Sequence, residues 1–234
     1  MGTISKEDGT FTINITAANS NDQLVFSMIG YETLRIEISN IKENPLSVKL
    51  IPKVYELKEV IVKAKRIKEP QKLGRYEITR TTTGQSGQDE FGIGCEWGVQ
   101  IFNDNKKYKI LDARFHMRFN TVDSALFRVQ IYSVKDGLPH ESLLNKETFV
   151  KSYKNDHWII CGLEEHDLTM DQDVIVTYEV VRFWPTKGSE NQFFFTHGSG
   201  YERGQAFSRQ TSHDVWKVNQ SPPVVLCLGV EEEK

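Results

Sequence analysis

Asp8-Gly9-Thr10-Phe11-Thr12-Ile13-Asn14-Ile15-Thr16 sets the reading of the whole chain. Gly after Asp supplies the positive φ of a tight turn, and the residues after it alternate apolar with polar. A period of two places Phe11, Ile13 and Ile15 on one face, the pattern of a strand that buries one side. Further along, Leu24 opens an apolar run that ends at Met28, Gly30 interrupts it, and Leu34, Ile36 and Ile38 alternate with Arg35 and Glu37. Val48 and Leu50, then residues 60–62, add two more strands. No segment of helical length carries a 3.6-residue period with caps at both ends, so the expected fold class is all-β.

The stretch Lys63-Ala64-Lys65-Arg66-Ile67-Lys68-Glu69-Pro70-Gln71-Lys72 is charged, contains a proline and holds almost nothing that builds a core. It divides the chain into a first module at 1–64, a linker at 65–76 and a second module at 77–234. Thr81-Thr82-Thr83-Gly84-Gln85-Ser86-Gly87 is polar too, and full order is expected only near Glu90. Beyond it, residues 109–119, 126–134, 158–163, 174–184, 192–196 and 224–230 are rich in β-branched and aromatic side chains and are separated by Gly, Pro, Asn and Asp. That many short strands at this spacing predict a larger antiparallel sandwich of jelly-roll type.

The composition bounds the function. With 38% hydrophobic and 26% charged residues the 234-residue chain can bury a core. A net charge of −3 argues against nucleic acid as a partner, whose phosphates call for concentrated Lys and Arg. No apolar run approaches the roughly 18 residues of a membrane helix, and Met1-Gly2-Thr3-Ile4-Ser5-Lys6 lacks the apolar core of a signal peptide. Cys95, Cys161 and Cys227 sit inside apolar runs without CxxC or Cys/His ligand spacing, so they read as buried strand thiols, and no cofactor is expected.

The first module resembles the carboxypeptidase-regulatory-like domain of Bacteroidetes outer-membrane and secreted proteins. The residues that carry this are Asp8-Gly9-Thr10-Phe11-Thr12-Ile13, the segment from Leu24 through Gly30-Tyr31-Glu32-Thr33, and Leu57-Lys58-Glu59-Val60-Ile61-Val62. The resemblance implies a small transthyretin-like β-sandwich, an envelope setting and a signal peptide upstream. The family opens with one more strand before the Asp-Gly turn, so an unpaired sheet edge and self-association through it are expected. In transporters of this family a barrel of some 22 strands comes next, each of about ten residues, and the chain beyond Val62 is too short for one. Phe127-Arg128-Val129-Gln130-Ile131-Tyr132, with Gly137-Leu138-Pro139, resembles instead the β-sandwich domains attached to this module in Bacteroidetes proteins.

Three constellations carry chemistry. His197-Gly198-Ser199-Gly200-Tyr201-Glu202-Arg203-Gly204 joins a free backbone to polar groups, but it fits neither a nucleophile elbow nor a phosphate loop; His197, Tyr201 and Arg203 are its ligand-binding candidates. Glu164, Glu165, Asp167, Asp171 and Asp173 crowd carboxylates as a calcium site would, without the glycine and bidentate Glu of an EF-hand loop. Aromatic side chains can stack on sugar rings: Trp184, before Pro185 at a strand end, and Trp216, in a polar segment, are the surface candidates, whereas Trp158 in Trp-Ile-Ile-Cys reads as core. The expected function is a non-enzymatic envelope binding or scaffolding protein, periplasmic, outer-membrane-associated or secreted, with a glycan or protein partner. The alternative is a secreted glycan-active hydrolase with a calcium-assisted site.

Overall fold

The computed structural model describes residues 3, 5, 8–15, 22–28, 31–42, 45–52, 69–86, 93–188, 192–199, 204–212, 214–219 and 224–233. The chain divides into two compact units, Thr3–Glu59 and Val60–Lys234. In the first, the Asp8 carboxylate accepts hydrogen bonds from the Thr10 amide at 2.9 Å and its hydroxyl at 2.7 Å, closing a turn in which Gly9 has a φ of +81°. Strand β1 (Gln23–Phe26) pairs antiparallel with β2 (Leu34–Glu37), and Phe11 meets the Phe26 ring edge-on at 5.4 Å. Residues 11–15 and 48–50, expected as strands, join no ladder among the described residues, and 60–62 lie outside them.

The second unit holds β3 (Gln71–Arg75), β4 (Glu77–Ser86), β5 (Glu96–Ile101), β6 (Tyr108–Asn120), β7 (Ser124–Lys135), β8 (Leu138–Ser142), β9 (Thr148–Tyr153), β10 (Trp158–Gly162), β11 (Thr169–Met170), β12 (Val174–Trp184), β13 (Gln192–Ser199), β14 (Ala206–Arg209), β15 (Lys217–Asn219) and β16 (Leu226–Glu232). One seven-stranded sheet runs β3-β16-β6-β13-β4, with β10 and β11 also paired to β6; the other runs β15-β14-β5-β12-β7-β8, with β9 also paired to β7. The sheets pack as a sandwich around an aromatic cluster. Phe115 stacks on Tyr178 of the opposite sheet at 4.7 Å and meets Phe127 edge-on at 4.9 Å, while Phe195 lies 4.8 Å from Tyr178. Asp136 and Gly137, both at positive φ, make the two-residue turn between β7 and β8.

Three expectations are corrected. The linker reading of 65–76 fails at β3, whose residues pair with β16 from Arg75 opposite Leu226 to Gln71 opposite Val230. A sheet-edge strand needs only one inward apolar side chain, here Leu73, so its composition stays polar. Gly74, at φ +105°, brings its backbone against Ile101 and the Leu226 carbonyl, where a Cβ would lie 2.9 and 3.0 Å from them. Order also starts well before Glu90, because β4 pairs along β13 through backbone hydrogen bonds that need no apolar face. Trp158, read as core, is 37% exposed: β10 turns Ile159 and Cys161 inward, so its period of two sends Trp158 out to meet the His116 ring edge-on at 5.0 Å.

Cys161 and Cys227 are buried strand thiols, each pushed up to about 12 by burial; Cys95 is half-buried, and no disulfide joins the three. In the native protein a thiol reagent is expected to modify Cys95 first, with Cys161 and Cys227 reacting only on unfolding. Equal rates for the three would contradict their placement. Phe195→Ala opens the aromatic cluster and is expected to cost about 3–5 kcal/mol in urea unfolding, whereas Val215→Ala at an exposed position stays within about 0.5 kcal/mol.

Candidate binding face

Along β7 the inward residues are Phe127, Val129 and Ile131, so Ser124, Leu126, Arg128, Gln130 and Tyr132 point away from the core. The ladder with β12 sets Trp184 opposite Ser124, Arg182 opposite Leu126, Glu179 opposite Arg128, Thr177 opposite Gln130 and Ile175 opposite Tyr132. A register shift between Val180 and Arg182 turns the end of β12 so that its outward side chains stay on this face. On the far side of β12, Glu179 faces Glu96 of β5, and Glu96 faces Arg209 of β14. A row Arg209, Glu96, Glu179, Arg128 thus crosses four adjacent strands.

This row is buried. Glu96 has no exposed surface; it accepts from Arg209 Nε at 2.8 Å, Thr177 Oγ1 at 2.5 Å and Tyr132 OH at 3.1 Å. Glu179 is ion-paired with Arg128, which also reaches Ser212 Oγ at 2.9 Å and Glu147 at 3.4 Å. Since Ser212 comes after β14, its bond to Arg128 of β7 carries the β14–β15 connection back across the face. Burial raises the Glu179 carboxyl to about 7, with Arg128 pulling the other way and the neighbouring Glu96 charge adding to the rise. Burial works against the Arg128 cation, but Glu179, Glu147 and Glu96 together hold it above its ordinary range; burial, then Glu96, lifts Tyr132 as well.

Trp184 and Trp216 share this face but stand at opposite ends of it, by the Ser124 and Tyr132 positions, roughly 27 Å apart along β7 at about 3.4 Å per residue. The Trp216 ring meets Tyr132 edge-on at 5.8 Å and lies 4.2 Å from the Arg209 guanidinium, so it covers the buried row instead of forming a shelf. Trp184 is half-buried, with Lys151 Nζ 4.4 Å and Arg182 Cζ 5.0 Å from its ring centre. His197 belongs to the other sheet, half-buried on β13, where its carbonyl accepts from Thr79 Oγ1 at 2.8 Å and burial lowers its pKa. Tyr201 and Arg203 lie outside the described residues. Sequence reading missed Lys151, opposite Leu126 on β9, where it stands beside Tyr153, 54% exposed and opposite Ser124. The alternation of Phe149, Lys151 and Tyr153 was the available signal, but only the β7–β9 register sets it beside Trp184.

The carboxylates read as a calcium site diverge. Glu164–His166 form a single 3-10 turn, Glu165 pairs with Lys146 at 2.7 Å, Asp167 pairs with Lys109 at 2.7 Å, and Asp173 accepts the Asn103 amide at 3.1 Å. His166 is held between Asn145 and Thr148 at 2.8 and 2.7 Å. Among the described residues no three His, Cys, Asp or Glu side chains converge as a metal site would require.

A family model described as a CarboxypepD_reg-like domain matches residues 1–62. No curated protein and no solved structure matches the chain.

The raised Glu179 carboxyl gives stability a sign with pH. Between about 4.5, its ordinary value, and about 7 the folded state binds more protons than the unfolded state, so this contribution is full below the window and lost as pH rises through it. Glu179→Gln is expected to flatten that part of the urea-midpoint profile. An unchanged profile would show that Glu179 titrates alike in both states.

Proposed function

We propose that the chain is a cell-envelope binding protein with no catalytic step, whose second unit holds a glycan at the Trp184–Tyr153 end of this sheet face. One observation carries the reading: Trp184 and Tyr153 stand on either side of Ser124 across three adjacent strands, with the Lys151 ammonium 4.4 Å from the first ring centre and 5.4 Å from the second. Two interstrand spacings separate their backbones by about 10 Å, comparable to a disaccharide unit. The middle of the face is closed by its ion-paired row and by Trp216, so the ligand is confined to this end. Glu96 and Glu179, adjacent carboxylates of the kind a hydrolase uses, are taken up by Arg209 and Arg128 and serve the fold. The envelope setting draws support from the family matched by residues 1–62.

A glycan array and then titration calorimetry test the reading. Tyr153→Ala is expected to weaken the glycan by about 0.5–1.5 kcal/mol, roughly 2- to 13-fold in Kd, with an unchanged melting temperature because the ring is exposed. Trp216→Ala is expected to do the reverse, lowering stability and sparing affinity. Affinity lost with Trp216 and kept without Tyr153 would move the ligand to the other end.

A further inference from the structure

Resting on that reading, we infer that the glycan is a uronate-bearing oligosaccharide: Lys151 and Arg182, held against the Trp184 ring, receive a carboxylate while the Tyr153 ring stacks on a neighbouring sugar. Several basic side chains elsewhere on the sandwich are held in ion pairs. Lys106 pairs with Glu232, Lys107 with Glu233, Lys109 with Asp167, Lys146 with Glu165, Arg114 with Asp112, Arg128 with Glu179 and Arg209 with Glu96. Lys151 and Arg182 have no carboxylate within ion-pair distance among the described residues; what holds them is the Trp184 ring. The carboxylates nearest in sequence to this end of the face are occupied otherwise, Asp123 by the Thr186 hydroxyl and Asp156 by the Tyr153 amide, both at 2.7 Å.

A cation lying over an aromatic ring is held in place without being neutralised. Both charges therefore stay available, on side chains whose freedom is already reduced, which lowers the cost of binding an anion. Both heads lie within 5.0 Å of one ring centre, which gathers the two charges at the same end of the face. The planar guanidinium fork of Arg182 matches the two oxygens of a carboxylate. The chain carries a net charge of −3, so this uncompensated pair is a local feature and not the spill of an overall basic protein. Lys151 Nζ also lies 5.4 Å from the Tyr153 ring centre, so it bridges the two aromatic side chains, while 54% of the Tyr153 surface is exposed and can take a sugar. Trp184 is a positioning residue here.

The test titrates the full chain with a galacturonic acid hexamer, a neutral cellohexaose and dextran sulfate. The hexamer is expected to bind with an affinity that falls as NaCl rises, and Lys151→Met and Arg182→Met each to weaken it about ten- to a hundredfold at unchanged melting temperature. Trp184→Leu is expected to weaken the hexamer as well, and Lys151→Arg to restore most of the binding. Equal binding of cellohexaose and hexamer, both sensitive to Tyr153→Ala, would overturn the acidic ligand and leave the glycan site standing. Binding of dextran sulfate alone would overturn it too, and silence of all three would remove the glycan reading with it.

Discussion

Glu96 sits at zero exposure in a strand whose two faces are both covered, and the rest of the second sheet is arranged around that charge. A buried carboxylate left without a partner costs several kcal/mol, so Arg209, Thr177 and Tyr132 must all be in place together. The next strand carries a second carboxylate, Glu179, directly opposite the first. Two such groups side by side demand a second cation, and Arg128 of β7 supplies it. The alternating row ties four strands through side chains in addition to their backbone ladder. It also explains why the connection after β14 returns across the sheet: Ser212 satisfies Arg128, and Trp216 seals Arg209 and Tyr132 from water.

That covering ends before the Ser124 row. Where the ion pairs stop, Leu126 and Ser124 are flanked by Trp184 and by the exposed side chains of Arg182, Lys151 and Tyr153. The division of labour comes from desolvation. In the middle of the sheet charges are buried and must pair with each other, while at its end Lys151 and Arg182 are exposed to water and need no carboxylate partner. The core beneath is indifferent to both, since Phe115, Phe127, Tyr178 and Phe195 contact one another between the sheets.

Much of the fold was legible because strands that bury one or both faces write their period, or its absence, into the sequence. The run from Val174 to Val180 is continuous and apolar but for Thr177 and Glu179, and both of those prove buried. Trp184 was placed at a strand end by the Pro185 that follows it, and β12 does end there, with the ring half-buried. Edge strands were not legible: β3 and β4 draw their stability from backbone pairing, and their side chains look like linker. Trp158 was misplaced because an apolar run does not say which of its alternating residues faces inward. The alignment of Trp184 and Tyr153 across Ser124 was the least visible feature, since it depends on three strands in register, and register is a property of pairs. The first unit kept to its Asp8-Gly9 turn and its β1–β2 pairing, and its first 62 residues match the family that those residues suggested.

The central claim is that one end of one sheet face binds ligand while the remainder of that face is closed by buried ion pairs. Hydrogen exchange read by mass spectrometry, with and without saturating galacturonic acid hexamer, addresses both halves at once. The account predicts slow exchange of the β5, β12 and β7 amides around Glu96 and Glu179 in both samples, with added protection confined to β9 and the Trp184 end of β12. Protection appearing instead along β10 and β6, around Trp158 and His116, or fast exchange of the β5 amides in the free protein, would contradict it.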